Sequence, residues 1–188
     1  DVPSVTFEYT DFAGLEGYWD YASSSIGRGG STNVNLYNGN MVYIHSDLSM
    51  NGSRMPVRVN HVFNSTFRNE RDDDMLYGNG WRTNYDQRVE SLTIKSTLYY
   101  KYTDEDGTAH YFALKDNEWK VEDGIDLKLT ISTDNTITIK DKADNLIVFH
   151  EVVDSDANPD GHTYYISYIE DNNGNRQTIG YDANDRIN

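Results

Sequence analysis

Apolar and polar residues alternate along most of the chain with a period of two, as in Thr136-Ile137-Thr138-Ile139-Lys140. This is the pattern of an antiparallel strand with one face buried. The same reading predicts strands at Val5–Tyr9, Val34–Leu36, Met41–His45, Val57–Phe63, Val89–Lys95, Leu98–Thr103, Ala109–Leu114, Leu127–Ser132, Thr136–Lys140, Leu146–Glu151, Thr163–Ile169 and Gln177–Tyr181. Helical periodicity is nearly absent. Thr66–Met75 comes closest, but its apolar residues do not recur at three- and four-residue steps, so it reads as an exposed loop. Turn signals about every 8–12 residues are the rhythm of a sandwich or barrel rather than of a parallel sheet. The predicted fold is all-β: an antiparallel, twisted sheet of successive hairpins, open or partly closed into a barrel.

Three of the predicted bends share one pattern. Asp104 leads through Gly107 to Phe112, Asp141 through Asp144 to Phe149, and Asp171 through Gly174 to Ile179. In each, a strand runs into Asp, a residue tolerant of left-handed backbone follows at the third step, and an apolar residue follows at the eighth. The Asp side chain can accept backbone N–H bonds across the turn. A single hairpin cannot bury its own apolar face, so the copies are expected side by side in one layer. Asn38-Gly39-Asn40 marks another tight hairpin. Residues 10–32 are Gly- and Ser-rich, and residues 1–27 read as a linker plus an N-terminal strand ahead of a domain covering 28–188. The aromatics Tyr18, Trp19 and Tyr21 are expected either to latch that linker to the sheet or to form a sugar-stacking platform.

Composition narrows the functional classes. The 188 residues carry 16 Lys+Arg against 31 Asp+Glu, a net charge of −15, which opposes binding to nucleic acid or anionic lipid. Residues 101–188 alone hold 19 acidic and 8 basic side chains, whereas 13% aromatic residues are too many for a disordered acidic tail. There is no cysteine, so neither a disulfide nor a Cys-ligated zinc site is available. No apolar run is long enough to insert in a membrane as a helix. The start at Asp1, with no Met or leader, reads as an excised fragment.

The segment Ile169 to Ile187 closely resembles the tyrosine-aspartate (YD) repeat of RHS proteins: Asp171-x-x-Gly174-Asn175, then Tyr181-Asp182, then Arg186-Ile187, with Asp185 where a Gly is usual. Arg54–Ser65 and the Gly78-Asn79-Gly80-Trp81-Arg82-Thr83-Asn84-Tyr85 box resemble the entry segment of RHS cores, and Val34–Met41 resembles its hairpin more weakly. The likeness covers roughly residues 28–188. It implies a non-enzymatic structural or adhesive module that starts a hollow β-shell in a bacterial secreted or cell-surface protein, of the toxin-delivery or adhesion type. The partners it implies are downstream YD repeats and domains of the same chain. A piece with one full repeat would be too short to enclose cargo, so its role would be to cap or nucleate the sheet. Asp104, Gly107, Asp141, Asp171, Gly174, Asn175, Tyr181, Asp182 and Arg186 are its structural motif residues.

Other chemistry is sparse. Carboxylate pairs such as Asp104/Asp106, Glu122/Asp123, Glu170/Asp171 and Asp86/Glu90 are accounted for by turn positions and abundance, so no catalytic residue is assigned and the chain is expected not to be an enzyme. Asp154, Asp156, Asn158 and Asp160 alternate like the first half of a calcium loop, although the twelfth position from Asp156 is Ser167 rather than Glu. Calcium is the one cofactor they suggest. The five histidines lack metal-site spacing, and no nucleophile elbow or phosphate loop is present. The alternative function is carbohydrate binding, for example to cell-surface glycans, through Tyr18, Trp19, Tyr21, Trp81 and Trp119 on an exposed β face.

Overall fold

A computed structural model describes residues 14–52, 54–69, 77–121, 124–152, 161–182 and 186–187. Among these the chain forms fourteen strands and two short 3₁₀ turns, and every strand pairing is antiparallel. The all-β expectation holds. The first five strands are β1 (Tyr21–Ser25), β2 (Ser31–Asn35), β3 (Met41–Met50), β4 (Val57–Asn64) and β5 (Trp81–Thr83), and they form one sheet in chain order. The stretch that reads as a linker therefore contributes β1, which pairs with β2 from Tyr21↔Asn35 to Ser25↔Ser31. The Val5–Tyr9 prediction lies outside the described residues, as does 70–75 of the predicted Thr66–Met75 loop. That loop opens on a 3₁₀ turn at Ser65–Asn69.

The remaining strands are β6 (Arg88–Ile94), β7 (Thr97–Thr103), β8 (Ala109–Lys115), β9 (Glu118–Lys120), β10 (Leu127–Ile131), β11 (Ile137–Asp141), β12 (Leu146–Val152), β13 (Thr163–Glu170) and β14 (Arg176–Thr178). Strands β6 to β13 run as a meander that closes into an eight-stranded barrel, because β13 pairs with both β12 and β6. Thus the piece too short to enclose cargo does close on itself, around its own side chains. At eight strands an interior is just wide enough for such filling. Period-two alternation supplies the contents: Val89, Tyr102, Phe112, Leu129, Ile137, Ile139, Phe149, Tyr164 and Ile166 are all buried. Phe112 and Phe149 have no exposed surface, and burying each contributes about 2–3 kcal/mol.

A bulge keeps the inward face apolar. Pairing passes from Phe149↔Ile166 to Val148↔Tyr168, skipping Ser167, so Ile169 rejoins the inner row opposite Ile147. One edge of β13 is occupied by β12 along its length. The other is divided, with Thr163–Tyr165 pairing with β6 and Tyr168–Glu170 with β14. The sheet therefore closes and branches on the same strand. The predicted strand Gln177–Tyr181 is in fact β14 followed by an isolated bridge, Tyr181↔Ile187.

Candidate functional site: the aspartate bends, the clasp and the aromatic tip

The three predicted bends have the same geometry and lie in one nine-stranded sheet. Asp104, Asp141 and Asp171 each donate their N–H to the carbonyl four residues on, at 3.0, 3.1 and 2.9 Å. Each Oδ1 then accepts two backbone N–H groups: Asp106 and Thr108, Ala143 and Asn145, Asn173 and Asn175. The third step is left-handed in all three, with φ of 94° at Gly107, 66° at Asp144 and 79° at Gly174. For Asp141 burial works against ionisation, but the bonds from Asn145 and Ala143 prevail and hold the carboxyl below the usual range. At Asp171 the bonds from Asn175 have the same effect. Because the strands meander, all three bends fall at one end of the sheet, and Asn172 Nδ2 donates to Ala143 O at 3.1 Å, joining two of them.

Two further bends of this kind escaped the sequence reading. Asp182 donates its N–H to Arg186 O at 2.8 Å and accepts Arg186 N–H at 3.0 Å, which gives the Tyr-Asp of the resemblance a turn-forming role. Ser132 does the same with Thr136 at the opposite end, where Asn135 takes φ 62°. A hydroxyl in place of the carboxylate was the signal there, and it is a weaker one. Tyr181 donates its hydroxyl to Ile166 O at 2.8 Å and stacks on Tyr165.

The Asp104 bend differs from its relatives in being buried. The face of the five-stranded sheet that carries Val42, Val62, Asn64 and Arg82 closes over it: Asn64 Nδ2 donates to Asp106 O at 3.3 Å and Arg82 Nη1 to Asp104 O at 3.4 Å. From the other side the Gly14–Glu16 segment arrives, with Leu15 N–H donating to Asp106 Oδ2 at 3.2 Å and Glu16 facing His110 at 3.7 Å. His110 also faces Asp104 at 3.4 Å. We call this junction the clasp. Burial, and next the charge of Asp104, push the Asp106 carboxyl up to about 7. Burial likewise raises Asp86 and lowers the Arg82 guanidinium. Asp104 and Asp106, a carboxylate pair in the sequence, thus join the two sheets.

The five aromatic candidates do not form one platform. Tyr21 is structural: its hydroxyl accepts Glu16 N–H at 2.9 Å and donates to Gly14 O at 3.0 Å, which ties the clasp segment to β1. Trp81 packs against Phe63 and, edge-on, against Tyr43 on the outer face of the five-stranded sheet, and Trp119 packs edge-on against Tyr100 in the barrel at 4.8 Å. Tyr18 and Trp19 do meet, and Trp19 meets Tyr37, which the sequence reading passed over as a hairpin residue. Trp19 and Tyr37 stack at 4.9 Å with 23° between planes, and Tyr18 lies 5.6 Å from Trp19.

The calcium candidate Asp154–Asp160 lies outside the described residues. Among the described residues no three His, Asp or Glu side chains are grouped to hold a metal ion, and no helix is long and apolar enough to cross a membrane. Residues 31–112 match a family described as a domain of unknown function (DUF6531). The match starts at β2 and ends within β8, so it takes in the five-stranded sheet from β2 on, the Gly-Trp box and the buried Asp104 bend. No curated protein matches the chain.

Proposed function

We propose that the chain is a non-enzymatic structural and adhesive module that opens a longer β-shell of the YD-repeat kind, in a bacterial secreted or cell-surface protein, with further repeats of its own chain as partners. The observation that supports this reading is the divided edge of β13. One strand both closes the barrel and starts a ribbon, and β14 carries that ribbon away with a second bend at Asp182 already formed. Asp171 N–H bonds Asn175 O and Ile179 N–H bonds Ser167 O, so in antiparallel alternation the backbone groups of Gln177 also face β13. Those of Arg176 and Thr178 face away, along an edge with no further strand among the described residues. Such an edge is a template for another strand. In sedimentation velocity the isolated chain is expected to self-associate as concentration rises. Thr178→Pro, which removes an outward N–H and leaves the β13 ladder intact, is expected to restore the monomer. A wild-type chain that stays monomeric at its solubility limit, or a proline variant that associates equally, would count against the template.

A further inference from the structure

Independently of the β14 edge, we infer that the tip of the β2–β3 hairpin is a binding platform for a neutral carbohydrate, built from Tyr37, Trp19 and Tyr18. Tyr37 is 75% exposed, Leu36 65% and Tyr18 59%, the three most exposed large apolar side chains of the described residues, and all lie at this tip. Contiguous exposed aromatics mark interaction sites, whereas single ones do not. The backbone that presents Tyr37 is also held rather than loose. Asn35 Oδ1 accepts the N–H groups of Tyr37 and Asn38 at 2.8 and 3.2 Å, Asn35 N–H donates to Asn40 O at 2.8 Å, and Leu36 N–H donates to Asp20 O at 3.0 Å. Trp19 backs one face of Tyr37 and leaves the rest of the ring to solvent. A rigidly presented ring loses little entropy on binding.

Size and charge select the occupant. Three rings and a leucine present at most a few hundred Å², well below the roughly 800 Å² per partner of a stable protein interface. They match one or two sugar rings, whose C–H faces stack on aromatics. The exposed Asp20 and Asn38 beside them supply an acceptor and a donor for hydroxyls. A chain of net charge −15 repels acidic polymers, which leaves uncharged glycans.

The test is affinity electrophoresis of the whole chain in gels containing neutral polysaccharides (β-glucan, xyloglucan, mannan or galactan), with alginate as the acidic control. At least one neutral polymer is expected to retard the protein, and alginate is not. Tyr37→Ala is expected to weaken that retardation at least about tenfold, the loss typical of a central aromatic anchor, whereas Tyr37→Phe stays within about threefold. Because Tyr37 is exposed, circular dichroism of both variants should match wild type. Absence of retardation by every neutral polymer, or equal retardation of wild type and Tyr37→Ala, overturns the inference. Monomer formation by Thr178→Pro bears only on the shell reading and leaves this one untouched.

Discussion

Gly107→Ala is expected to destabilise the chain by about 3–4 kcal/mol, and Gly174→Ala by only about 1–2 kcal/mol. The two glycines hold the same step of the same bend, both with positive φ, so the backbone penalty for a Cβ is similar at each. Their surroundings differ. A Cβ on Gly174 would meet nothing within 4 Å. On Gly107 it would lie 2.8 Å from the Phe67 ring and 2.9 Å from Arg82 Nη1, in the clasp. The excess loss at Gly107 therefore measures how tightly the five-stranded sheet seats on the barrel. Urea denaturation of both variants gives the comparison. Hydrogen exchange should show the excess as faster exchange in β4, β5 and the β7–β8 bend. Equal losses would mean that the bend sits loosely and that the two sheets are joined by the chain alone.

The aspartate bends were legible in the sequence because their cause is local. One carboxylate, a left-handed residue three steps on and alternation beyond suffice to build the hairpin wherever it falls. The barrel core was legible for the same reason where alternation is plain, since Ile137 and Ile139 are the inward positions of Thr136–Lys140, whereas Phe149 ends the continuous apolar run Leu146–Phe149 in which Val148 is buried as well. What escaped depends on partners distant in sequence. β9 is three residues with one apolar side chain, and Trp119 makes it a strand by pairing with Leu114 and Leu129. β5 is likewise three residues, added to β4 through Phe63↔Trp81 and Val62↔Arg82. β1 is Tyr-Ala-Ser-Ser-Ser, whose residues are mostly exposed, and only its pairing with β2 extends it. Closure of the barrel rests on three residue pairs between β6 and β13, and no periodicity reports those. At the candidate sites, alternation and turn rules treat Asp104 and Asp141 alike. Only the clasp residues Gly14, Leu15, Asn64 and Arg82 bury Asp106, Gly107 and Thr108 of the one bend, while Lys142, Ala143 and Asp144 of the other stay exposed. Tyr37 was legible as a hairpin residue but not as a partner of Trp19, because nothing in the spacing from 19 to 37 says that the rings meet.

Stability is expected to rise, not fall, as pH is lowered from 8 to 5. The clasp is the reason. Asp106 accepts N–H from Thr108 at 3.1 Å and from Leu15 at 3.2 Å, and the Thr108 hydroxyl at 2.6 Å, all of which favour the carboxylate. Burial outweighs them, the charge of Asp104 adds to it, and the carboxyl sits at about 7. In the unfolded chain the same group titrates near ~3.9. Between these values the folded state holds a proton that the unfolded state has released. Stability is therefore full below about pH 4 and is lost as pH rises to 7, by up to about 1.4 kcal/mol per unit. Burial raises Asp86 as well, and it acts in the same sense. Asp141 and Asp171 act in the opposite sense: their lowered values add stability above about pH 4 that disappears below it. The optimum is accordingly expected between about pH 4 and 6. General repulsion among the acidic groups also relaxes in acid, but salt screens that contribution and not the buried one, so urea titrations belong in high salt. Glu16, Asp104, His110 and Arg82 all face this junction, so the variant must isolate one group. Asp106→Asn keeps an acceptor for Thr108, turns an amide toward Leu15 N–H and removes the titration. Its absolute stability is therefore less informative than its slope, which should be much shallower than wild type between pH 5 and 7. Parallel profiles for the two proteins would show that Asp106 ionises freely and that the clasp is not closed over it.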